Sequence, residues 1–174
     1  NDGPTETGQR YCVNSLSLEF VSEKDSKSSM APAQSNIDTV TLGGGCFWCV
    51  KAVYQMLNGV INVESGFSGG TVKNPAYREV CNGTTGHAEV VQITYDKTKT
   101  SFEEILKVFF TVHDPTTLNR QGGDVGTQYR SVIFYRNEEQ QKAAMSIIDE
   151  LNKAKVYPNP VVTQVAKFDK FYKA

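Results

Sequence analysis

Apolar positions along the chain follow two rhythms. Ile37-Asp38-Thr39-Val40-Thr41-Leu42 is a β-branched run that leads into Gly43-Gly44-Gly45. Behind the glycines, Phe47, Val50, Val53, Tyr54 and Leu57 recur at helical spacing. That order predicts strand, tight turn and helix over about 46–57, with Asn58-Gly59 as the stop. Val60 to Gly70 predicts a strand and a glycine-rich turn, and Ala76 to Cys81 a short helix. Ala88 to Tyr95 alternates, which predicts a strand with Glu89, Val91, Ile93 and Tyr95 on one face and Val90, Gln92 and Thr94 on the other. Ser101-Phe102-Glu103-Glu104 is a capping box that opens a helix through about His113. Asp114 to Gln128 reads as a long loop, followed by a strand from Ser131 to Tyr135. Asn137 caps a second long helix carrying Ala144, Met145, Ile148 and Leu151, and Val161 to Ala166 predicts the last strand.

Upstream the pattern thins. Leu16, Leu18 and Phe20 alternate with Ser17 and Glu19, a short strand signal inside a tail of residues 1–21. Residues 22–36 are Ser, Lys, Ala, Pro and Gln with almost nothing to bury, and read as a flexible linker. The main domain is expected over 37–174. Its strands and helices alternate without a strict βαβ rhythm and without repeats. This predicts a two-layer α+β fold, helices packed on one mixed β-sheet.

Nine Phe, eight Tyr and one Trp among 174 residues can fill the core of one domain. The net charge of -1 removes any bulk attraction to nucleic acid or to an anionic membrane surface. No apolar run has the length of a membrane span. Four irregularly spaced cysteines do not make a secreted disulfide framework, so a reducing, cytoplasmic compartment is the expectation. An extracytoplasmic setting stays open because the chain's start reads as truncated.

The chemistry centres on Cys46. A cysteine in the first turn of a helix sits among unpaired backbone N–H groups at the positive end of the helix dipole, which favours a thiolate. Cys49 follows one turn along, close enough to capture what forms on the first sulfur. Glu89 shares the more apolar face of its strand, where desolvation would keep it protonated as an acid. Periodicity alone leans towards a strand-end carboxylate that reaches solvent or a lysine. The loop from His113-Asp114-Pro115 to Tyr129 is long and rich in hydrogen-bonding side chains, a pattern uncommon without a function. Tyr77 and Tyr129 would be donors if they faced the cysteine, although spacing alone makes most tyrosines packing residues. A P-loop lacks its Lys-Ser/Thr, and a zinc site lacks a second cysteine pair, so no metal or cofactor is expected. A thiol–disulfide oxidoreductase built on Cys46 and Cys49 is the alternative, although the aromatics Phe47 and Trp48 between them suit an apolar ligand better.

Six motifs then stand in order: Gly45-Cys46-Phe47-Trp48, Gly66-Phe67-Ser68-Gly69-Gly70, Asn74-Pro75-Ala76-Tyr77, Gly86-His87-Ala88-Glu89, His113-Asp114-Pro115 and Gly126-Thr127-Gln128-Tyr129-Arg130-Ser131. Together, across roughly 39–172, they resemble the A-type peptide methionine sulfoxide reductases. The resemblance implies a ferredoxin-related α+β fold and reduction of methionine-S-sulfoxide, free or in oxidised proteins. It implies that Cys46 attacks sulfur and that Glu89, Tyr77 and Tyr129 hold and protonate the oxygen. Asp124 would support them through water, and Phe47 and Trp48 would hold the methyl group. Cys49 would close a disulfide that thioredoxin reopens. Cys81 is expected to be a buried spectator.

Two departures from the family pattern shape the remaining expectations. Arg10-Tyr11-Cys12-Val13-Asn14-Ser15, after Asp2-Gly3-Pro4, resembles the final segment of the unrelated B-type reductase, which implies a piece of a B–A fusion. Cys12 alone is not expected to reduce the R epimer. The chain also stops at Ala174, before the His-Gln-Tyr tail of A-type enzymes, so recycling is expected to rest on Cys49. A monomer is expected, and a non-catalytic sulfoxide-binding fragment is the remaining alternative.

Overall fold

The computed structural model describes residues 36–174. The segment resembling a B-type reductase, Cys12 and nearly all of the linker lie outside the described residues. Eight strands and four helices follow in order: β1 (Ile37–Gly44), α1 (Phe47–Gln55), β2 (Val60–Ser68), α2 (Tyr77–Cys81), β3 (Ala88–Asp96), α3 (Phe102–Val112), β4 (Arg120–Gln121), β5 (Asp124–Val125), β6 (Ser131–Tyr135), α4 (Glu138–Lys153), β7 (Gln164–Lys167) and β8 (Phe171–Lys173). A 3-10 turn, Thr127–Tyr129, precedes β6.

Six strands form one mixed sheet in the order β7-β6-β1-β3-β2-β8. All its pairings are antiparallel except β6 with β7. β3 lies centrally, with Val40 opposite Ile93 on one side and Phe67 opposite Glu89 on the other. Alternation on the pleat sends Val40, Leu42, Phe67, Val91, Ile93, Tyr95 and Ile133 to the face that α1, α3 and α4 cover. The opposite face carries a smaller cluster, Ala88, Val90, Val132 and Phe134, closed by Ala166, Phe168 and Phe171. The expected α+β layering therefore holds.

Differences from the expected elements have local causes. Val161 and Val162 do not begin the last strand. The Val161 N–H donates to the Asn152 side chain at 2.9 Å and the Val162 N–H to the Pro115 carbonyl at 2.8 Å, so pairing with β6 starts only at Gln164. The expected loop 114–128 folds back on itself as the β4–β5 hairpin. Met145 is exposed, because the apolar stripe of α4 runs through Ala143, Ala144, Ile147, Ile148 and Leu151. Ser101 caps α3 by accepting from the Glu104 N–H at 3.1 Å, and Asn137 caps α4 by accepting from the Gln140 N–H at 2.9 Å. Among the described residues no helix is long and apolar enough to cross a membrane.

Candidate active site

β1 ends at Gly44, and Gly45 turns the chain at φ +97°, where glycine is favoured. A Cβ on Gly45 would also strike the Gln121 side chain. Cys46 is the N-cap of α1, with extended backbone (φ -60°, ψ 120°), one position before the helix proper rather than within its first turn. Its side chain makes no capping hydrogen bond. The sulfur is therefore not spent on capping the helix; of the first-turn N–H groups, that of Phe47 goes to Glu89 and that of Cys49 to the Cys46 carbonyl. Cys46 is half-buried, Cys49 is exposed, and both are free thiols. The Cys46 sulfur acts on Cys49 first through its charge, with desolvation and a side-chain hydrogen bond adding to it, and so raises the Cys49 thiol.

Glu89 sits near the start of the central strand, on the helix-facing row, and is 2% exposed. The lean of the periodicity towards solvent is overturned. Its Oε1 accepts the Phe47 N–H at 3.2 Å, which brings the carboxyl into the turn that carries Cys46. Burial lifts its pKa above the ordinary 4.5, the Phe47 bond pulls down, and the nearby Asp124 charge pushes up; the net direction is upward.

Aromatic rings form a wall beside this pair. Phe47 is buried, and its ring meets Trp48 edge-on at 5.1 Å and stacks with Tyr77 at 6.3 Å. Trp48 and Tyr77 are both more than half exposed. An apolar floor thus opens to solvent between two aromatic rims. The Cys81 thiol, one turn along α2 from Tyr77, is the largest influence that pushes the Tyr77 pKa up to about 12. Burial, followed by the charge of Glu89, raises Tyr129. Both hydroxyls keep their protons at neutral pH. Cys81 is a free thiol and only half-buried, less enclosed than expected.

Asp124 rides on the exposed β4–β5 hairpin and lines a shallow cavity of about 180 Å³ with Cys46, Cys49, Val50, Val53 and Gln121. Gln121 holds the hairpin there. Its amide exchanges two 2.8 Å hydrogen bonds with the Asp114 backbone, while its stem packs on Gly45. The two histidines are buried supports. His87 accepts the Gly70 N–H at 2.9 Å and donates to the Val72 carbonyl at 2.7 Å, which fixes the glycine-rich turn. His113 donates from Nδ1 to the Phe109 carbonyl and accepts from the Ser131 hydroxyl at 2.7 Å. Sequence reasoning missed Gln121 and Gln128; Gln121 lies in the long loop and Gln128 in one of the six motifs, which was the one available signal.

The family model described as peptide methionine sulfoxide reductase matches residues 38–174. A peptide methionine sulfoxide reductase MsrA of Saccharolobus solfataricus is 58% identical over 138 residues, covering 79% of this chain and 77% of that protein. Among solved structures, reduced Mxr1 from Saccharomyces cerevisiae superposes with TM-score 0.75 at 33% identity, over 79% of this chain and 80% of that one. Methionine sulfoxide reductase A of Corynebacterium diphtheriae gives TM-score 0.71 at 31% identity, over 82% and 72%.

Proposed function

The chain belongs to the peptide methionine sulfoxide reductase family, and we propose that it reduces the S epimer of methionine sulfoxide, free or in oxidised proteins, through Cys46 and Glu89. Reduction of methionine sulfoxide to methionine is its enzymatic activity. The observation that supports these residue roles is the hydrogen bond from the Phe47 N–H to a carboxyl that is 2% exposed. It sets an acid and a nucleophile at one helix start.

The sulfoxide methyl group rests on Phe47 between Trp48 and Tyr77. Cys46 attacks the sulfoxide sulfur as the thiolate, while protonated Glu89 delivers its proton to the oxygen. Tyr77 and Tyr129 donate hydrogen bonds to that oxygen, and Asp124 supports the network through water. Collapse yields methionine and a Cys46 sulfenic acid, so one sulfur is reduced by two electrons as the other is oxidised by two. The Cys49 thiol then condenses with the sulfenic acid, forming the Cys46–Cys49 disulfide and releasing water. A thioredoxin dithiol reduces that disulfide to two thiols. The exposure of Cys49, one turn from Cys46, supports this recycling route. A monomer working in a reducing, cytoplasmic compartment completes the reading.

Product chirality from a mixed-epimer sulfoxide tests the epimer assignment: the S form should be consumed and the R form left. Consumption of the R form at a similar rate would contradict it. Cys49→Ser should complete one turnover and fail to cycle with thioredoxin; full cycling would contradict its role.

A further inference from the structure

Two very short elements carry the tyrosine donors. Tyr77 opens the five-residue α2, and Tyr129 closes the three-residue 3-10 turn. Neither lies in the sheet, and α2 is anchored by buried Val80 and by the stacking of Tyr77 on Phe47. Among the side-chain hydrogen bonds of the described residues, one joins the two elements: Gln128 Nε2 donates to the Cys81 carbonyl at 3.0 Å. Cys81 is the last residue of α2, four positions from Tyr77 and so on the same helix face. Gln128 precedes Tyr129 directly.

The burial of Gln128 is unusual for its place. It is 5% exposed in a turn whose Thr127 is exposed and whose Tyr129 is only half-buried. A buried amide is costly unless its donors are used. Here Nε2 is used by the Cys81 carbonyl, while Oε1 is buried without a hydrogen-bond partner and packs against Gly126, where a Cβ would overlap it.

We propose that Gln128 is a positioning residue that fixes the Tyr77 and Tyr129 hydroxyls relative to each other, so that both reach the same sulfoxide oxygen beside Glu89. The inference rests on the donor roles assigned to these tyrosines above. Gln128 touches no substrate; it acts through the spacing of α2 and the 3-10 turn.

The test measures the first-turnover rate at saturating methionine sulfoxide for Gln128→Met, which keeps length and loses the donor, and Gln128→Asn, which keeps the amide and loses reach. Each should slow the step about tenfold while the half-saturating concentration changes by less than about twofold, because the Phe47 floor and the Trp48 rim keep their places and only the Tyr77 side shifts. In Tyr77→Phe or Tyr129→Phe backgrounds, the same substitutions should add less than about twofold, since there is no longer a pair to align. A full tenfold effect in those backgrounds would overturn the proposal, as would a wild-type rate in whichever Gln128 variant folds. Undisturbed rates in Tyr77→Phe and Tyr129→Phe would remove the donor assignment, and this inference with it. Slowed tyrosine variants beside a normal Gln128 variant would remove this inference alone.

Discussion

Glu89 takes its character from its row on the pleat. Residues 91, 93 and 95 of the same row are fully buried apolar side chains, so the carboxyl enters a core rather than solvent. Glu89→Gln keeps the hydrogen bond from Phe47 and loses the proton. The first turnover should slow by about a hundredfold or more, read as methionine formed per enzyme. With its folded pKa above 4.5, Glu89 also makes the native state hold a proton that the unfolded chain releases. Stability is therefore lost as pH rises from 4.5 through the folded value, by about 1.4 kcal/mol per unit of difference. Denaturation across pH should show Glu89→Gln gaining on the wild type over that window and level above it. Cys49 gives a second check. The charge of Cys46 is the largest cause of its raised thiol, so Cys46→Ser should speed alkylation of Cys49 at neutral pH. An unchanged alkylation rate would sever the link between the two sulfurs.

At the level of elements, caps and stripes were the readable part. Ser101 and Asn137 act as caps because each sits three residues before a backbone N–H that its oxygen can accept. The β4–β5 hairpin was not readable, since two-residue strands leave no alternation to detect. Supports that reach across elements were equally silent. His113 at the end of α3 is one of them, with a pKa lowered to about 4 by burial. The folded state resists protonating it, so stability declines as pH falls from 6.5 to about 4, by about 3 kcal/mol in total. His113→Gln should flatten that part of the acid-denaturation curve; an unchanged slope would contradict the assignment. Gln140 ties α4 to β1 by donating to the Thr39 carbonyl at 3.0 Å, accepts the N–H of Arg136 just after β6 at 2.8 Å, and is 3% exposed. Gln140→Ala should cost about 1–3 kcal/mol in chemical denaturation.

Across the whole molecule, the sheet brings residues distant in sequence to one edge of α1. Cys46 was legible because a glycine turn before a helix is a local pattern; for Glu89 the strand row was legible, but periodicity alone leaned towards solvent and its burial came from the packing. Gln128 was not legible, because its partner Cys81 lies 47 positions away and no periodicity encodes that bond. β8 escaped for the same reason. Its three residues have no signal of their own and are held by β2, where Gly66 lets the Phe171 ring and the Tyr172 carbonyl approach. Tyr172 in turn lies edge-on to His87, under the glycine-rich turn. Gly66→Ala should cost about 1–3 kcal/mol and speed amide exchange at Tyr172 and Lys173. The central claim concerns one sulfur, and it is tested most directly by single-turnover trapping. Cys49→Ser protein receives one equivalent of methionine-S-sulfoxide in the presence of dimedone. One methionine should form for each dimedone adduct, with the adduct on Cys46 and none in Cys46→Ser. Methionine formed by Cys46→Ser, or an adduct placed on Cys81, would contradict the account.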